Sequence, residues 1–242
     1  MKRFALLVLA ALAVVLSGCS FFPTVTGSGT PATAAYGLAG FGGIQASESF
    51  KVRVVPDSIF SVDVTCDDNL LPCLVVDTTP GGTLRLSLQQ GYSYRFITVS
   101  AEVHMPALEL LDASGAGAFD VGAGFVSIRP LAISLSGAST ANVAGIVCGN
   151  LTVDISGASS ATVAGSPSSE SILASGASHA DLLNSVVRSA DVTLSGASDA
   201  WVNVGAGVVS LHASGASTLY YAGTPAFSPC ELSGTSRMVK LY

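Results

Sequence analysis

The second half of the chain alternates apolar and polar positions on both sides of a recurring Ser-Gly-Ala tripeptide. Apolar residues stand two and four positions before its glycine and four and six positions after it, with mostly polar residues between them. A period of two predicts β-strands with one buried face, so each unit is a strand, a tight corner and a strand. The corner glycines, spaced 19 to 22 residues apart, are Gly115, Gly137, Gly157, Gly176, Gly196, Gly215 and Gly234.

Two architectures fit these units: an antiparallel meander and a parallel β-helix. Only in the β-helix do equivalent residues of successive units lie above one another, about 4.8 Å apart. Columns of identical small residues then have a physical cause, because a tight corner needs glycine and neighbouring serines can form hydroxyl ladders. We therefore expect an all-β fold, a right-handed parallel β-helix of about seven coils of 19–20 residues.

The region before the repeat is also strand-like, but it is irregular. From Phe41 onward, short alternating runs are separated by turn signals such as Pro56-Asp57 and Pro80-Gly81-Gly82. This pattern predicts a β-rich segment that precedes the coils. We expect residues 41–242 to form one β-helical domain.

The N-terminus has the features of an export signal. Lys2 and Arg3 precede an apolar run that is too short to span a bilayer, and Leu16-Ser17-Gly18-Cys19 follows it. This stretch resembles the lipobox of bacterial lipoproteins, so we expect cleavage after residue 18 and a lipid on Cys19. The alternative is an ordinary secretory signal with a chance cysteine. Residues 19–40 are rich in Gly, Pro, Ser, Thr and Ala, which predicts a flexible tether.

Composition narrows the classes of partner. Only 11% of the residues are charged, and the formal net charge of −6 becomes −8 if Lys2 and Arg3 are removed with the signal. Nucleic acid and anionic membrane surfaces are poor partners for such a chain. Contact with a membrane is expected only through the N-terminal lipid, either at the outer membrane or on the outer face of the cytoplasmic membrane.

Several passages resemble the family named putative auto-transporter adhesin, head GIN domain, whose members are found largely in bacterial envelope proteins. The likeness covers about Phe41 to Tyr242. The passages that carry it are Phe41-Gly-Gly-Ile-Gln-Ala, Val62-Asp-Val-Thr-Cys-Asp-Asp-Asn-Leu, Met105-Pro-Ala-Leu-Glu-Leu-Leu, the Ser-Gly-Ala series and Tyr220-Tyr-Ala-Gly-Thr-Pro. The resemblance implies a stacked all-β fold and a role in adhesion, and it brings no catalytic residues.

The chain contains none of the common catalytic or metal-binding constellations. Its three histidines are His104, His179 and His212, and the last two are two coils apart, too far to share a metal. A polysaccharide lyase would need basic residues in a groove, but the chain after the signal contains only two lysines, Lys51 and Lys240. We expect no catalytic residue, metal or cofactor.

One outward column is richer in recognition chemistry than the rest of the surface. It lies five positions after each corner glycine and contains Asp120, Asn142, Thr162, Asp181, Trp201 and Tyr220. In a parallel stack Trp201 and Tyr220 are neighbours, with His179, Asp181 and Asp199 close by. These five residues form a candidate contact surface for a glycan or a protein. The alternative is an aromatic ladder that only stiffens the sheet.

The cysteines after Cys19 are expected to serve structural roles. Cys66 and Cys73 bracket a turn-like hexapeptide in an oxidising compartment, which favours a local disulfide. Cys148 and Cys230 belong to coils about 19 Å apart, beyond the reach of a disulfide. We expect both to be unpaired, and Cys230 to be buried at an inward position.

These observations leave three hypotheses of function. The first is an envelope-anchored module for adhesion or ligand binding. The second is a structural protein whose exposed strand edges pair with copies of itself as a homo-oligomer. The third, less supported by the residues, is an enzyme acting on carbohydrate.

Overall fold

A computed structural model describes residues 22–242. Within this range the chain forms twenty-one strands and one short 3-10 helix, Asp68–Cys73. No helix in the described part is long and apolar enough to cross a membrane. The predicted signal segment 1–18 and the predicted lipid site Cys19 lie outside the described residues.

The last twelve strands form the repeated coils. Their bounds are β10 Leu110–Ala113, β11 Ala118–Val121, β12 Leu131–Leu135, β13 Thr140–Ile155, β14 Ser160–Ala174, β15 His179–Val186, β16 Ser189–Leu194, β17 Asp199–Asn203, β18 Val208–Ala213, β19 Thr218–Ala222, β20 Ala226–Leu232 and β21 Arg237–Lys240. β13 and β14 are long because each runs from the second strand of one coil into the first strand of the next.

Strands of successive coils pair in parallel at the register of the repeat. The strands before each corner form one sheet, the first face, in which Leu111 lies beside Ile133 and Ile133 beside Val153. The strands after each corner form the second face, in which Phe119 lies beside Ala141. Inward side chains of both faces share one hydrophobic core. The predicted parallel solenoid of about seven coils is confirmed, and the antiparallel meander is excluded.

The corner glycines stack so tightly that no side chain fits. Gly137 has a φ of +78°, and a Cβ built on it would lie 2.5 Å from the carbonyl oxygen of Gly115. That same oxygen accepts a hydrogen bond of 2.7 Å from the backbone N–H of Ala138. Similar contacts recur at Gly157, Gly176, Gly196, Gly215 and Gly234. Left-handed backbone and close stacking therefore both require glycine here.

At five of the seven corners, the serine two positions after the glycine closes the corner with its hydroxyl group. The buried Ser178 donates its hydroxyl to the carbonyl oxygen of Ser175 over 2.9 Å, and Ser198 bonds to Ser195 in the same way. Equivalent bonds are made by Ser139, Ser217 and Ser236. The predicted hydroxyl ladder is wrong for this column, because each of these hydroxyls satisfies a carbonyl of its own corner.

The first nine strands precede the coils. Their bounds are β1 Thr24–Thr26, β2 Pro31–Tyr36, β3 Gly43–Ala46, β4 Lys51–Pro56, β5 Ser61–Asp67, β6 Leu74–Thr78, β7 Thr83–Leu88, β8 Ser93–Arg95 and β9 Val99–Met105. β3 and β4 make a further coil next to β10 and β11, and β7 and β9 extend the first and second faces beyond it in parallel.

Antiparallel strands close the N-terminal end of the solenoid. β5 pairs with β9, β6 pairs with β7, and β2 pairs with the far side of β5. The short helix between β5 and β6 buries Leu70 completely. The hydrophobic core is therefore covered at this end by chain that does not belong to the repeat.

The flexible tether predicted for residues 19–40 is wrong over the strands β1 and β2. β2 is hydrogen-bonded along its whole length to β5, and β1 pairs with β8. The buried Asp67 fixes the link between them, because its carboxylate accepts the N–H of Gly29 at 2.9 Å and that of Thr98 at 2.8 Å. Small uncharged residues carry no amphipathic pattern, so partner strands rather than local sequence order this segment.

The C-terminal end of the solenoid is open within the described residues. Cys230 continues the inward column of the fully buried Leu211, and Leu232 continues that of Ala213. Cys230 is nonetheless exposed, and Leu232 keeps 44% of its surface accessible. The prediction of a buried Cys230 is wrong, because no further coil covers this one.

Candidate binding face

Trp201 and Tyr220 form a stacked aromatic pair on the second face. Trp201 in β17 is the direct register partner of Tyr220 in β19. Their ring centroids are 4.7 Å apart, with an angle of 5° between the planes. Because both residues stand five positions after a corner glycine, the coil period itself brings them together. The stack covers one face of each ring and leaves both side chains half-buried, with the indole N–H and the phenol hydroxyl as their polar atoms.

The other three predicted residues surround this pair. Asp181 is the register partner of Trp201 on the preceding coil, and His179 is the partner of Asp199. The Nδ1 atom of His179 lies 3.5 Å from Oδ2 of Asp199, and the imidazole centroid lies 6.1 Å from that of Trp201. Aromatic rings, carboxylates and an imidazole therefore share one patch, which we call the aromatic patch: His179, Asp181, Asp199, Trp201 and Tyr220. It offers donors, acceptors and an apolar edge to a ligand.

A second polar cluster lies on the same face near the N-terminal end. The Nδ1 of His104 is 3.1 Å from Oδ2 of Asp57, and its Nε2 is 3.2 Å from Oε1 of Glu102. Hydrogen bonds to Glu102 and to Asp57 raise the pKa of His104, and the bond from His104 lowers the pKa of Asp57. Arg53 lies 3.7 Å from the other oxygen of Glu102. Two carboxylates on one ring favour the doubly protonated imidazole.

The profile of one protein family, described as putative auto-transporter adhesin, head GIN domain, matches residues 40–225. The chain belongs to this family. The matched range runs from just before β3 to just past β19, so the GIN domain includes the aromatic patch and all strands of the N-terminal closure except β2. Strands β20 and β21 of the open last coil lie beyond the match. Among curated proteins no relative matches the chain.

Solved structures share the fold of this GIN domain. A putative adhesin from Bacteroides fragilis aligns with a TM-score of 0.79 at 18% identity, covering 90% of this chain and 100% of that one. A putative adhesin from Parabacteroides merdae gives 0.73 at 16% identity, covering 91% and 100%. A structure from Parabacteroides distasonis, described as a putative lipid binding protein, gives 0.75 at 18% identity, covering 90% and 100%. At these identities the likeness shows the fold alone.

The core of the GIN domain contains one carboxyl group without a partner. Glu170 interrupts an inward apolar column on the first face, between Leu151 and Ala190. It is 3% exposed, and neither of its oxygens nor the buried hydroxyl of nearby Ser185 makes a hydrogen bond within the described residues. Burial raises the pKa of Glu170 to about 7. The sequence alignment of the coils did not reveal Glu170. It compared the positions two and four residues before each corner glycine, whereas Glu170 stands six residues before Gly176.

All four cysteines of the described chain are free thiols. The disulfide predicted between Cys66 and Cys73 is not formed, and residues Asp68–Cys73 form a 3-10 helix. Cys66 points into the core at the end of β5, and burial, with the Asp67 and Asp68 carboxylates, raises the pKa of its thiol. Cys148 is unpaired, as predicted, and it is buried, whereas the unpaired Cys230 is exposed.

Metal ligands are not assembled within residues 22–242. No group of three or more His, Cys, Asp or Glu side chains in this range is arranged to hold a metal ion. His179 lies on the second face, whereas His212 lies on the first face, where its Nδ1 is 3.1 Å from Oε2 of Glu231. The two histidines therefore cannot act on one ligand.

Proposed function

We propose that this protein is a non-catalytic binding module of the bacterial cell envelope that holds its ligand at the aromatic patch. The observation that carries the proposal is the stack of Trp201 on Tyr220 beside Asp199 and His179. Aromatic side chains supply contact area at low entropic cost, and neighbouring carboxylates accept hydrogen bonds from ligand hydroxyl or amide groups. Membership of an adhesin family supports the same class of function.

Attachment to the membrane through a lipid on Cys19 completes the proposal. Only Ser20 to Pro23 separate that cysteine from β1, so a short connection would hold the closed N-terminal end near the bilayer. The aromatic patch belongs to coils near the opposite end and would face away from the membrane. A Cys19→Ser variant should lose incorporation of labelled palmitate and be released from the membrane fraction. Retention of label in that variant would refute lipidation at Cys19.

The aromatic patch is tested by binding of the purified domain to a glycan array, extracellular matrix and whole cells. Trp201→Ala and Tyr220→Ala should each weaken the strongest binding at least about tenfold, because central aromatic contacts dominate such interfaces. His212→Ala, on the first face, is the matched control and should leave binding unchanged. Circular dichroism should show that all three variants keep their strands. Unchanged binding in both aromatic variants would reject the aromatic patch as the site.

Self-assembly is a second candidate function, favoured by the open C-terminal end. Cys230 and Leu232 continue core columns into solvent, and terminal coils of solenoid proteins usually need a polar cap. Leu232→Glu should then convert an oligomer into a monomer in size-exclusion chromatography with light scattering. A wild-type domain that stays monomeric at high concentration would eliminate this candidate.

A further inference from the structure

The aromatic patch belongs to two columns of outward side chains that run side by side along the second face. The two columns stand two residues apart on each strand, so both point outward. The first column consists of Thr65, Ser100, Lys51, Ala118, Thr140, Ser160, His179 and Asp199. The second consists of Asp63, Glu102, Arg53, Asp120, Asn142, Thr162, Asp181, Trp201 and Tyr220. The space between them follows the solenoid axis, across the strands.

At the N-terminal end this space is a groove of about 490 Å³. Its floor is the strand backbone at Val52, Ala101 and Phe119, whose side chains point into the core. Its walls are the two columns, including Lys51 and Arg53. A volume of this size falls in the range of small-ligand sites. Beyond Ala118 and Asp120 the same two columns continue along the second face to the aromatic patch.

The distance between the two ends follows from the strand spacing. From Arg53 in β4 to Trp201 in β17 the second column advances by five strands, which is about 24 Å at 4.8 Å per strand. Between these ends the walls are short side chains, all of them polar except Ala118, and they include the exposed Thr140, Asn142 and Thr162. A linear ligand can therefore lie along the two columns and reach both ends without crossing a bulky side chain.

We propose that this groove binds a neutral linear glycan that runs along the solenoid axis from the Lys51 and Arg53 end to the aromatic patch. The inference rests on the proposed binding function and adds its ligand class and direction. The walls present hydroxyl, amide and carboxylate groups once per strand, and a chain of hexopyranose rings advances by close to one strand spacing per ring. An extended peptide advances only about 3.3 Å per residue and falls out of step with these groups.

Charge selects against an acidic glycan. The two columns carry five carboxylates, Asp63, Glu102, Asp120, Asp181 and Asp199, against the two cations Lys51 and Arg53. Glu102 is 3.7 Å from Arg53 and also accepts from His104, so part of this charge is already engaged within the protein. The remaining carboxylates repel a polyanion but accept hydrogen bonds from sugar hydroxyls.

The test measures binding of the purified protein to neutral linear oligosaccharides of increasing length, from disaccharide to dodecasaccharide. The oligosaccharides are fragments of the neutral homopolysaccharides that bind in the glycan array described above. Affinity should rise with length until the chain spans both ends of the groove, because each added contact becomes intramolecular. Thr162→Trp fills the middle of the groove and should lower the affinity for long chains by about tenfold or more, while short chains keep theirs. Thr193→Trp, exposed on the first face, is the matched control.

The outcomes separate the two proposals. If Trp201→Ala abolishes binding but Thr162→Trp leaves the affinity for long chains unchanged, the aromatic patch is the site and the groove is refuted. Binding without dependence on chain length, or binding of protein ligands alone, refutes the glycan groove as well. If Trp201→Ala and Tyr220→Ala change no binding of any ligand, the proposed function itself fails. Circular dichroism of each variant guards against loss of fold.

Discussion

The repeated coils and the N-terminal region both contain residues with a positive φ, but for different reasons. In the coils each corner glycine has the carbonyl oxygen of the preceding corner against it, as at Gly157, where a Cβ would lie 2.5 Å from Gly137. In the N-terminal region Gly40 has nearly the same φ, +77°, but a Cβ on it would meet no atom within 4 Å. Glu48, on whose backbone the corner glycine Gly115 of the next coil stacks, has a φ of +58° and still carries a side chain. Close stacking, more than backbone conformation, therefore dictates glycine in the coils.

One methyl group added in each region separates the two causes. Gly157→Ala should cost about 4 kcal/mol, since it combines left-handed strain with a clash against rigid backbone. Gly40→Ala has the strain alone and should cost about 1 kcal/mol. Urea unfolding of both variants measures the difference. Equal costs would mean that the stack can yield at Gly157 and that conformation alone selects glycine.

The buried Glu170 predicts a pH dependence located inside the coils. Its pKa is about 7 in the folded protein against 4.5 as the ordinary value, so the folded state holds its proton more tightly. Below pH 4.5 the group is protonated in both states. Stability is then lost as the pH rises from about 4.5 through about 7, by up to about 3 kcal/mol.

Glu170→Leu, which continues the column of Leu151, isolates this effect. Above about pH 7 the variant should be more stable than the wild type by up to about 3 kcal/mol, and near about pH 4 the gain should disappear. The difference between the two urea-unfolding curves at each pH removes the contributions of other titrating groups. A constant difference from about pH 4 to about pH 9 would show that folding does not shift the pKa of Glu170.

The two ends of the solenoid provide the third contrast. Leu70 is fully buried in the N-terminal closure, whereas Leu232 in the last coil is 44% exposed. Leu70→Ala should cost at least about 2 kcal/mol, and Leu232→Ala less than about 1 kcal/mol. Thermal unfolding of the dilute protein measures both. A large cost at Leu232 would indicate that a second molecule or another segment covers the open end.

Much of the coil architecture could be predicted because a parallel stack converts sequence period into spatial contact. The alignment on the corner glycines is enough to place Trp201 beside Tyr220 and Asp181 beside Trp201. The same alignment, extended by two residues, places Glu170 in a column with Leu151. The polar cluster of Asp57, His104 and Glu102 could not be found in this way, because it depends on how the irregular strands β4 and β9 meet.

The amino-acid sequence by itself determines the coil length, the glycine corners and the neighbours of each outward side chain. These features depend only on the alternation of apolar and polar residues and on a repeat of nearly constant length. What happens at the ends of the solenoid is fixed by tertiary contacts instead. β2 is ordered by its hydrogen bonds to β5, and Cys230 is exposed because no further coil packs on it within residues 22–242. Burial at the end of a stack depends on what lies against it, and no pattern within a single strand contains that information.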